Sequence, residues 1–355
     1  MSLFRTGLIV GKLSPLHRGH EHLLNTALGR CDRVLCISYS NPELPRCGAE
    51  ARRRWLTELF PTISHLALDE SELKRLRQQH GALPALPHND ASELDHRVFI
   101  AELCLRVFGV AVDAVFTSEL YGDGFAAELQ RQFRTASHVE ARVEHVLVDL
   151  DRATVPISAS KIRADRELSL AFLSPVVRAS FVRHVCLVGG ESSGKTTLTR
   201  ALAASFETTH CEEYGRELWL ERNGKLRYED FLLIATTQIR LEEHAGRAAR
   251  HVTFCDTSPL TTFFYCVDQF GRAEPELQEL AERPYDLYLL CAPSLPFVQD
   301  GTRRDPAFRT RQHAFYLAEL ERLKARWLLV DGSVEERVEQ TWLAISSLWV
   351  DQWEI

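Results

Sequence analysis

Short apolar runs alternate along the chain with longer stretches in which apolar and polar residues recur at helical spacing. Gly7–Val10, Arg33–Ser38 and Val112–Thr117 each precede such an amphipathic stretch, a rhythm that predicts parallel strands wrapped by helices. It restarts at His184–Val188 and returns at His251–Asp256, Asp286–Cys291 and Arg326–Val330. The break between the two series falls near residues 172–183, around Phe172-Leu-Ser-Pro175. A chain of 355 residues also exceeds what one hydrophobic core usually serves. The pattern therefore predicts an α/β protein of two doubly wound parallel-sheet domains, 1–178 and 179–355. Gly81–Asp95, with Pro84, Pro87 and Asn89-Asp90, reads as a long loop over the first domain, either functional or a plain surface insertion.

Composition narrows the class. With 45% hydrophobic and 26% charged residues the chain reads as globular, and no apolar run approaches the roughly 20 residues of a membrane span. Met-Ser-Leu-Phe-Arg-Thr leads straight into the first strand, which leaves no room for a signal peptide and predicts a cytoplasmic protein. The nine cysteines are scattered without any C-x-x-C, a usage expected of reduced thiols rather than disulfides or a structural metal. Residues 1–180 carry 22 basic against 22 acidic side chains, and the remainder 20 against 27, giving the net charge of −7. Neither half has the basic excess of a nucleic-acid binder.

Two places carry chemistry. Residues 189–197 read Gly-Gly-Glu-Ser-Ser-Gly-Lys-Thr-Thr directly after the run Val185–Val188. A strand that ends in a glycine-rich turn and opens a helix aims several backbone N–H groups at one point, where polyphosphate binds. Gly189, Gly190, Glu191, Ser192, Ser193, Gly194, Thr196 and Thr197 would cradle ATP, with Lys195 reaching the outer phosphates and the Thr196 hydroxyl holding Mg2+. Asp256, at the end of Val252-Thr-Phe-Cys-Asp256, suits the second metal-linked oxygen or the base for an attacking hydroxyl; a plain helix cap ahead of Pro259 is the bland reading. Among Arg303, Arg304 and Arg309, Arg303 is favoured as the cation that covers a transferring phosphoryl group. Glu212-Glu213-Tyr214-Gly215-Arg216-Glu217 reads either as an acidic helix start or as a pocket whose Glu213 and Tyr214 suit a cationic planar ligand.

The second place is Gly11-x-x-x-Pro15-x-His17-x-Gly19-His20, answered about 140 residues later by Ile157-Ser-Ala-Ser160-Lys-Ile-Arg163. His17 and His20, set across Gly19 at a helix start, can donate hydrogen bonds to phosphate oxygens as charge builds on a leaving pyrophosphate. Ser158, Ser160, Lys161 and Arg163 form another helix start that favours anions, with Lys12 on the opposite side of the clamp. His22 has no partner pattern and reads as an ordinary surface histidine.

With these motifs in one order, the chain resembles the NadR-type bifunctional enzymes, which combine nicotinamide mononucleotide adenylyltransferase with ribosylnicotinamide kinase. The resemblance covers nearly the whole chain and includes T-S-E-L-Y-G at Thr117–Gly122, E-Y-G-R-E at Glu213–Glu217, F-C-D-T at Phe254–Thr257 and D-G-T-R at Asp300–Arg303. It implies an N-terminal nucleotidyltransferase domain of Rossmann-like fold and a C-terminal P-loop kinase domain. The kinase half would pass the γ-phosphoryl of ATP to nicotinamide riboside. The other half would join the resulting mononucleotide to the adenylyl group of a second ATP, giving NAD and pyrophosphate. The resemblance also assigns the E-Y-G-R-E pocket to the riboside, and it admits a homo-oligomer.

Three departures stand beside it. No helix-turn-helix module precedes the first strand, so no DNA-binding segment is expected. The Pro84–Arg97 loop lacks the tryptophan that similar proteins present to nicotinamide, leaving Trp55, the only tryptophan of the first domain, or Phe99 as substitutes. Ser258 stands where an acidic residue usually follows the D-T pair. Two alternatives remain at this stage, a chain in which only one half turns over, and a sensor that binds ATP and pyridine nucleotides without catalysis.

Overall fold

The computed structural model describes residues 2–137, 140–165, 167–301 and 303–349. They form two compact units, the first ending at Ser180 and the second beginning at Phe181. Among the described residues no helix is long and apolar enough to cross a membrane.

In the first unit the strands are β1 (Phe4–Gly11), β2 (Cys31–Tyr39), β3 (Ser64–Leu68), β4 (Ala114–Thr117) and β5 (Glu144–Leu147). They pair in the order β3-β2-β1-β4-β5, and every pair is parallel. Leu8, Leu35 and Ile37 pack with Leu73, Leu76, Phe99, Leu129 and Phe133 of three helices into one core. The central strands read as unbroken apolar runs because both of their faces are covered. The order reverses between β1 and β4, and in open α/β sheets ligands bind at such a reversal, outside the carboxyl ends of the strands. Gly11 and Thr117 are those ends.

The second unit repeats the plan with β6 (Arg183–Val188), β7 (Thr209–Cys211), β8 (Val252–Asp256), β9 (Leu287–Cys291) and β10 (Trp327–Val330). Their order is β10-β9-β6-β8-β7, again parallel throughout. Side chains alternate across a strand, so β6 splits its residues between two cores. Val185 and Leu187 meet Leu198 and Leu202 of the helix Lys195–Ser205, whereas Cys186 and Val188 meet Leu260, Tyr316 and Leu320 on the other face. This two-sided burial makes the sheet doubly wound. Every strand read from the sequence is present, with ends shifted by up to three residues. The loop expected over Gly81–Asp95 ends earlier, because Ser92 caps a helix that begins at Glu93.

Candidate active sites

The glycine-rich loop joins β6 to the helix Lys195–Ser205, with Gly194 at the helix start. Lys195 folds back over its own loop, and Nζ donates to the Gly189 and Gly190 carbonyls at 2.9 and 3.1 Å. The ammonium thus rests on weak acceptors that an anion would displace. Gly190 is required by packing, since a Cβ there would lie 2.6 Å from the Arg309 carbonyl oxygen. Ser193 is buried, and Thr197 is exposed in the first turn of the helix.

At the end of β8, Asp256 Oδ2 accepts from the Thr196 hydroxyl at 2.5 Å. Its other oxygen, Oδ1, is buried and has no hydrogen-bond partner among the described residues. An orphaned carboxylate oxygen beside a hydroxyl is a donor set that fits a hard divalent cation such as magnesium. Burial and the neighbouring Glu213 raise the Asp256 pKa, while Lys195, Thr196 and Arg216 hold it down. The cap of the following helix Pro259–Phe270 is Ser258 rather than Asp256. Ser258 is itself buried, so the residue that departs from the family pattern is turned away from solvent.

One cavity extends from Lys195, Ser192 and Arg303 to Glu213, Trp219 and Gln238. Glu213 borders it as the residue preceding the helix Tyr214–Glu221. Tyr214, expected beside it, does not line the cavity. The reading is corrected by helical geometry, because each step along a helix turns the side chain by about 100°. Gly215 and Trp219, four residues apart, share the face that borders the cavity. Trp219, Phe231 and Tyr265 supply its aromatic surface. The signal for Trp219 lay in that spacing; Tyr265 comes from a distant helix and had none.

Arg303 and Arg304 both border this cavity and Arg309 does not. Arg303 donates to the Ser192 hydroxyl at 3.0 Å and pairs with Asp300 at 3.1 Å. Arg304 pairs with Asp268 and lies over the Phe308 ring at 4.2 Å. Arg309 is buried and donates to the Pro293 and Leu295 carbonyls, a structural role. Thr302 of the D-G-T-R motif lies outside the described residues. Glu191 ties the loop to this segment, accepting from the Arg304 N–H at 2.7 Å and from the Tyr265 hydroxyl at 3.0 Å.

In the first unit, His17 caps the helix Arg18–Leu28 with Nδ1 accepting from the Gly19 N–H at 3.1 Å. His20 Nδ1 accepts in turn from the His17 N–H at 3.3 Å. The rings stack with centroids 3.8 Å apart. In each neutral ring the proton is therefore on Nε2, the nitrogen left to meet a ligand. Burial lowers the His17 pKa to about 2, helped by His20, Arg152 and Arg163, and burial with Arg152 lowers that of His20 to about 4. Both rings are neutral donors near pH 7.

A cavity of about 360 Å3 gathers Lys12, His17, Gly19, His20, Ser158, Ser160 and Arg163 from motifs far apart in the chain. Arg163 crosses to the other motif, donating to the Ser14 carbonyl at 2.5 Å. Ser158 accepts from the Lys161 N–H at 3.3 Å as a cap and lies 3.3 Å from the Ser160 hydroxyl. Lys161 itself is exposed and outside the cavity, so its side chain drops from the expected clamp. His22, read as an ordinary surface histidine, borders the same cavity. Arg152, which the motifs did not single out, faces it too, held by donation to the Ile157 carbonyl at 2.7 Å.

A neighbouring cavity of about 540 Å3 opens at the β1/β4 reversal and shares Lys12, His20, Asn89 and Glu119 with the first. This volume suits a nucleotide-sized ligand. Its aromatic walls are Tyr39, His96, Tyr121 and Phe125. The Tyr39 hydroxyl and His96 Nδ1 are 2.7 Å apart. Trp55 is fully buried and donates from its indole nitrogen to the Ser180 hydroxyl at 2.8 Å. Neither Trp55 nor Phe99 lines either of these two cavities, which corrects the placing of Trp55 at the substrate. His96, from the Pro84–Arg97 stretch itself, stands where a ring was sought.

Away from these cavities, His184, Glu242 and Cys255 bring donor atoms within 4.8 Å of one another. Both Glu242 oxygens already accept from the Tyr285 hydroxyl at 2.9 Å, and Arg283 lies 3.9 Å away. This arrangement is that of a satisfied buried acid.

Fold and loop together define a two-unit α/β protein whose second unit is a P-loop nucleotide binder, and the AAA domain family model matches residues 184–337. The chain is 30% identical over 314 residues to the trifunctional NAD biosynthesis/regulator protein NadR of Escherichia coli K12, spanning 84% of this chain and 71% of that protein. The Salmonella typhimurium LT2 protein of the same name matches at the same identity and extent. The chain belongs to the NadR family. Solved structures agree in fold. A NadR protein in complex with NAD and AMP-PNP aligns with TM-score 0.67 at 23% identity over 98% of this chain and 97% of that one. A NadR protein in complex with NR aligns with TM-score 0.69 at 22% identity over 97% and 95%.

Proposed function

We propose that the chain is a bifunctional NAD salvage enzyme whose two steps divide between residues 1–178 and 179–355. The second unit would phosphorylate nicotinamide riboside with ATP, and the first would transfer the adenylyl group of ATP to the resulting mononucleotide. The observation that carries this reading is the single cavity leading from Lys195 and Arg303 to Glu213 and Trp219. A phosphate donor and a cationic, planar acceptor would share one chamber, with the carboxylate facing the positive ring and the indole beneath it. The complexes named for the related structures, with NAD and AMP-PNP and with NR, support the ligand classes.

In the kinase step the riboside 5′-hydroxyl oxygen forms a bond to the γ-phosphorus, and the bond to the β,γ-bridging oxygen breaks to release ADP. Lys195 and Arg303 neutralise the charge that spreads over the phosphoryl oxygens. Thr196 and Asp256 would hold magnesium, which supplies charge neutralisation at the phosphates when bound. Asp256 would also be a candidate to receive the hydroxyl proton.

In the transfer step a mononucleotide phosphate oxygen attacks the α-phosphorus and pyrophosphate leaves. His17 and His20 donate from Nε2 to the phosphate oxygens, while Lys12, Arg163 and Arg152 supply positive charge around them. The mononucleotide base would occupy the cavity walled by Tyr39, His96 and Tyr121. Purified protein incubated with magnesium-ATP and either the riboside or the mononucleotide tests the whole reading by chromatography of the products. NAD from both substrates is expected. Riboside converted only as far as the mononucleotide would leave a kinase alone, and no product from either would leave a nucleotide sensor.

A further inference from the structure

The turn Thr117–Gly122 supplies Thr117, Ser118, Glu119 and Tyr121 to the wall of the 540 Å3 cavity, although Ser118–Tyr121, between β4 and the helix Gly122–Ser137, is not regular structure. Something outside the turn must fix it. His145 of the neighbouring strand β5 touches both of its ends. Its Nε2 lies 2.8 Å from the Thr117 hydroxyl, and its Nδ1 lies 2.8 Å from Asp123 Oδ1 at the helix start. Between these bonds the ring lies flat against Gly122, where a Cβ would come within 2.0 Å of Nε2. Gly122 is therefore a glycine because the imidazole occupies the space of its side chain. The His145 side chain is 7% exposed, and the residue lines neither cavity.

We propose that His145 is a positioning residue for the mononucleotide, acting through the turn that it clasps at Thr117 and Asp123. The inference rests on the adenylyl-transfer reading of this cavity. Thr117 passes the constraint on, since its hydroxyl oxygen also accepts from the Glu119 N–H at 3.3 Å. Glu119 borders both cavities of the unit, and Tyr121 follows two residues later. Without the clasp, the turn would sample conformations in which these two side chains leave the wall. Substrate binding would then carry the ordering cost that the folded protein has already met. The chemical groups at His17 and His20 would stay in place, because no bond links them to the clasp among the contacts described.

The test is His145→Phe, which keeps a flat ring over Gly122 and removes both hydrogen bonds. KM for nicotinamide mononucleotide should rise about tenfold, the size of effect expected for lost hydrogen-bonded positioning. The kcat should stay within about twofold, and riboside phosphorylation by the same preparation should be unchanged. Gly122→Ala, which displaces the imidazole, should reproduce that KM change. Asp123→Asn keeps an oxygen to accept from Nδ1 and should remain close to the parent. An unchanged KM in His145→Phe would overturn the proposal, as would a loss of kcat equal to the rise in KM accompanied by a lower melting temperature. A parent protein that turns over riboside but makes no NAD would instead remove the reading of the cavity, and this inference with it.

Discussion

The Thr196 hydroxyl donates to Asp256 Oδ2 at 2.5 Å, while the second carboxylate oxygen is buried with no partner among the described residues. A folded protein seldom leaves a carboxylate oxygen in that condition without a use for it. Asp256→Asn preserves the acceptor for Thr196 and removes the charge. Riboside phosphorylation should fall by roughly 10^2- to 10^4-fold in kcat, and NAD formation from the mononucleotide should be unaffected. Retained phosphorylation would take Asp256 out of the reaction.

Glu213 is the largest charged contributor to the raised pKa of Asp256. The ionised carboxylate is the working form for either role proposed for it. The acidic limb of kcat/KM for riboside should therefore lie above the usual carboxylate value of about 4. Glu213→Gln removes the neighbouring negative charge and should move that limb to lower pH. The same substitution should raise KM for the riboside by about tenfold or more through loss of the attraction to its cationic ring. A limb that stays put while KM rises would separate Glu213 from Asp256 electrostatically.

Much of the fold was legible because strands buried on both faces write continuous apolar runs, as in Val185–Val188 and Leu287–Cys291. The strands given no range from the sequence, Ser64–Leu68, Glu144–Leu147 and Thr209–Cys211, lie at sheet edges, where side chains are half exposed and polar residues interrupt the run. Among site residues, the glycine loop and the two histidines were readable because local backbone geometry makes them. His96, Tyr39 and Arg152 were not, since tertiary folding alone brings them to the cavities. Trp55 illustrates the converse: a tryptophan in sequence announces burial, and nothing local says whether it faces a ligand or, as here, the Ser180 hydroxyl.

Neutral burial of His17 makes the first unit sensitive to acid. Its folded pKa, lowered to about 2 chiefly by burial, lies below the ordinary value near 6.5. Between the two, the unfolded chain takes up a proton that the folded chain does not. Stability is therefore greatest above about pH 6.5 and declines as pH falls, by at most about 1.4 kcal/mol per pH unit for this group. His17→Asn keeps a side-chain oxygen to cap the helix and removes the titration. Urea unfolding at pH 7.5 and 5.5 should show a smaller acid loss in the variant, by roughly 1 kcal/mol. Parallel losses in the two proteins would mean that His17 is protonated normally in the fold.

Arg303 and Arg309, six positions apart in one charged segment, should fail in opposite ways. Arg303 borders the kinase cavity, and its bonds to Ser192 and Asp300 are ones that a phosphoryl group could replace. Arg303→Ala should lower kcat for riboside phosphorylation by about 10^2-fold or more while leaving the melting temperature near that of the parent. Arg309 is buried against backbone carbonyls and against the glycine loop. Arg309→Ala leaves those carbonyls without a donor, at a cost of about 1–3 kcal/mol, and should lower the melting temperature of the second unit. At temperatures where the variant is folded, its kcat should stay much closer to the parent than that of Arg303→Ala. Scanning calorimetry and single-temperature kinetics on the pair decide the matter, and equal kinetic losses would return Arg309 to the reaction.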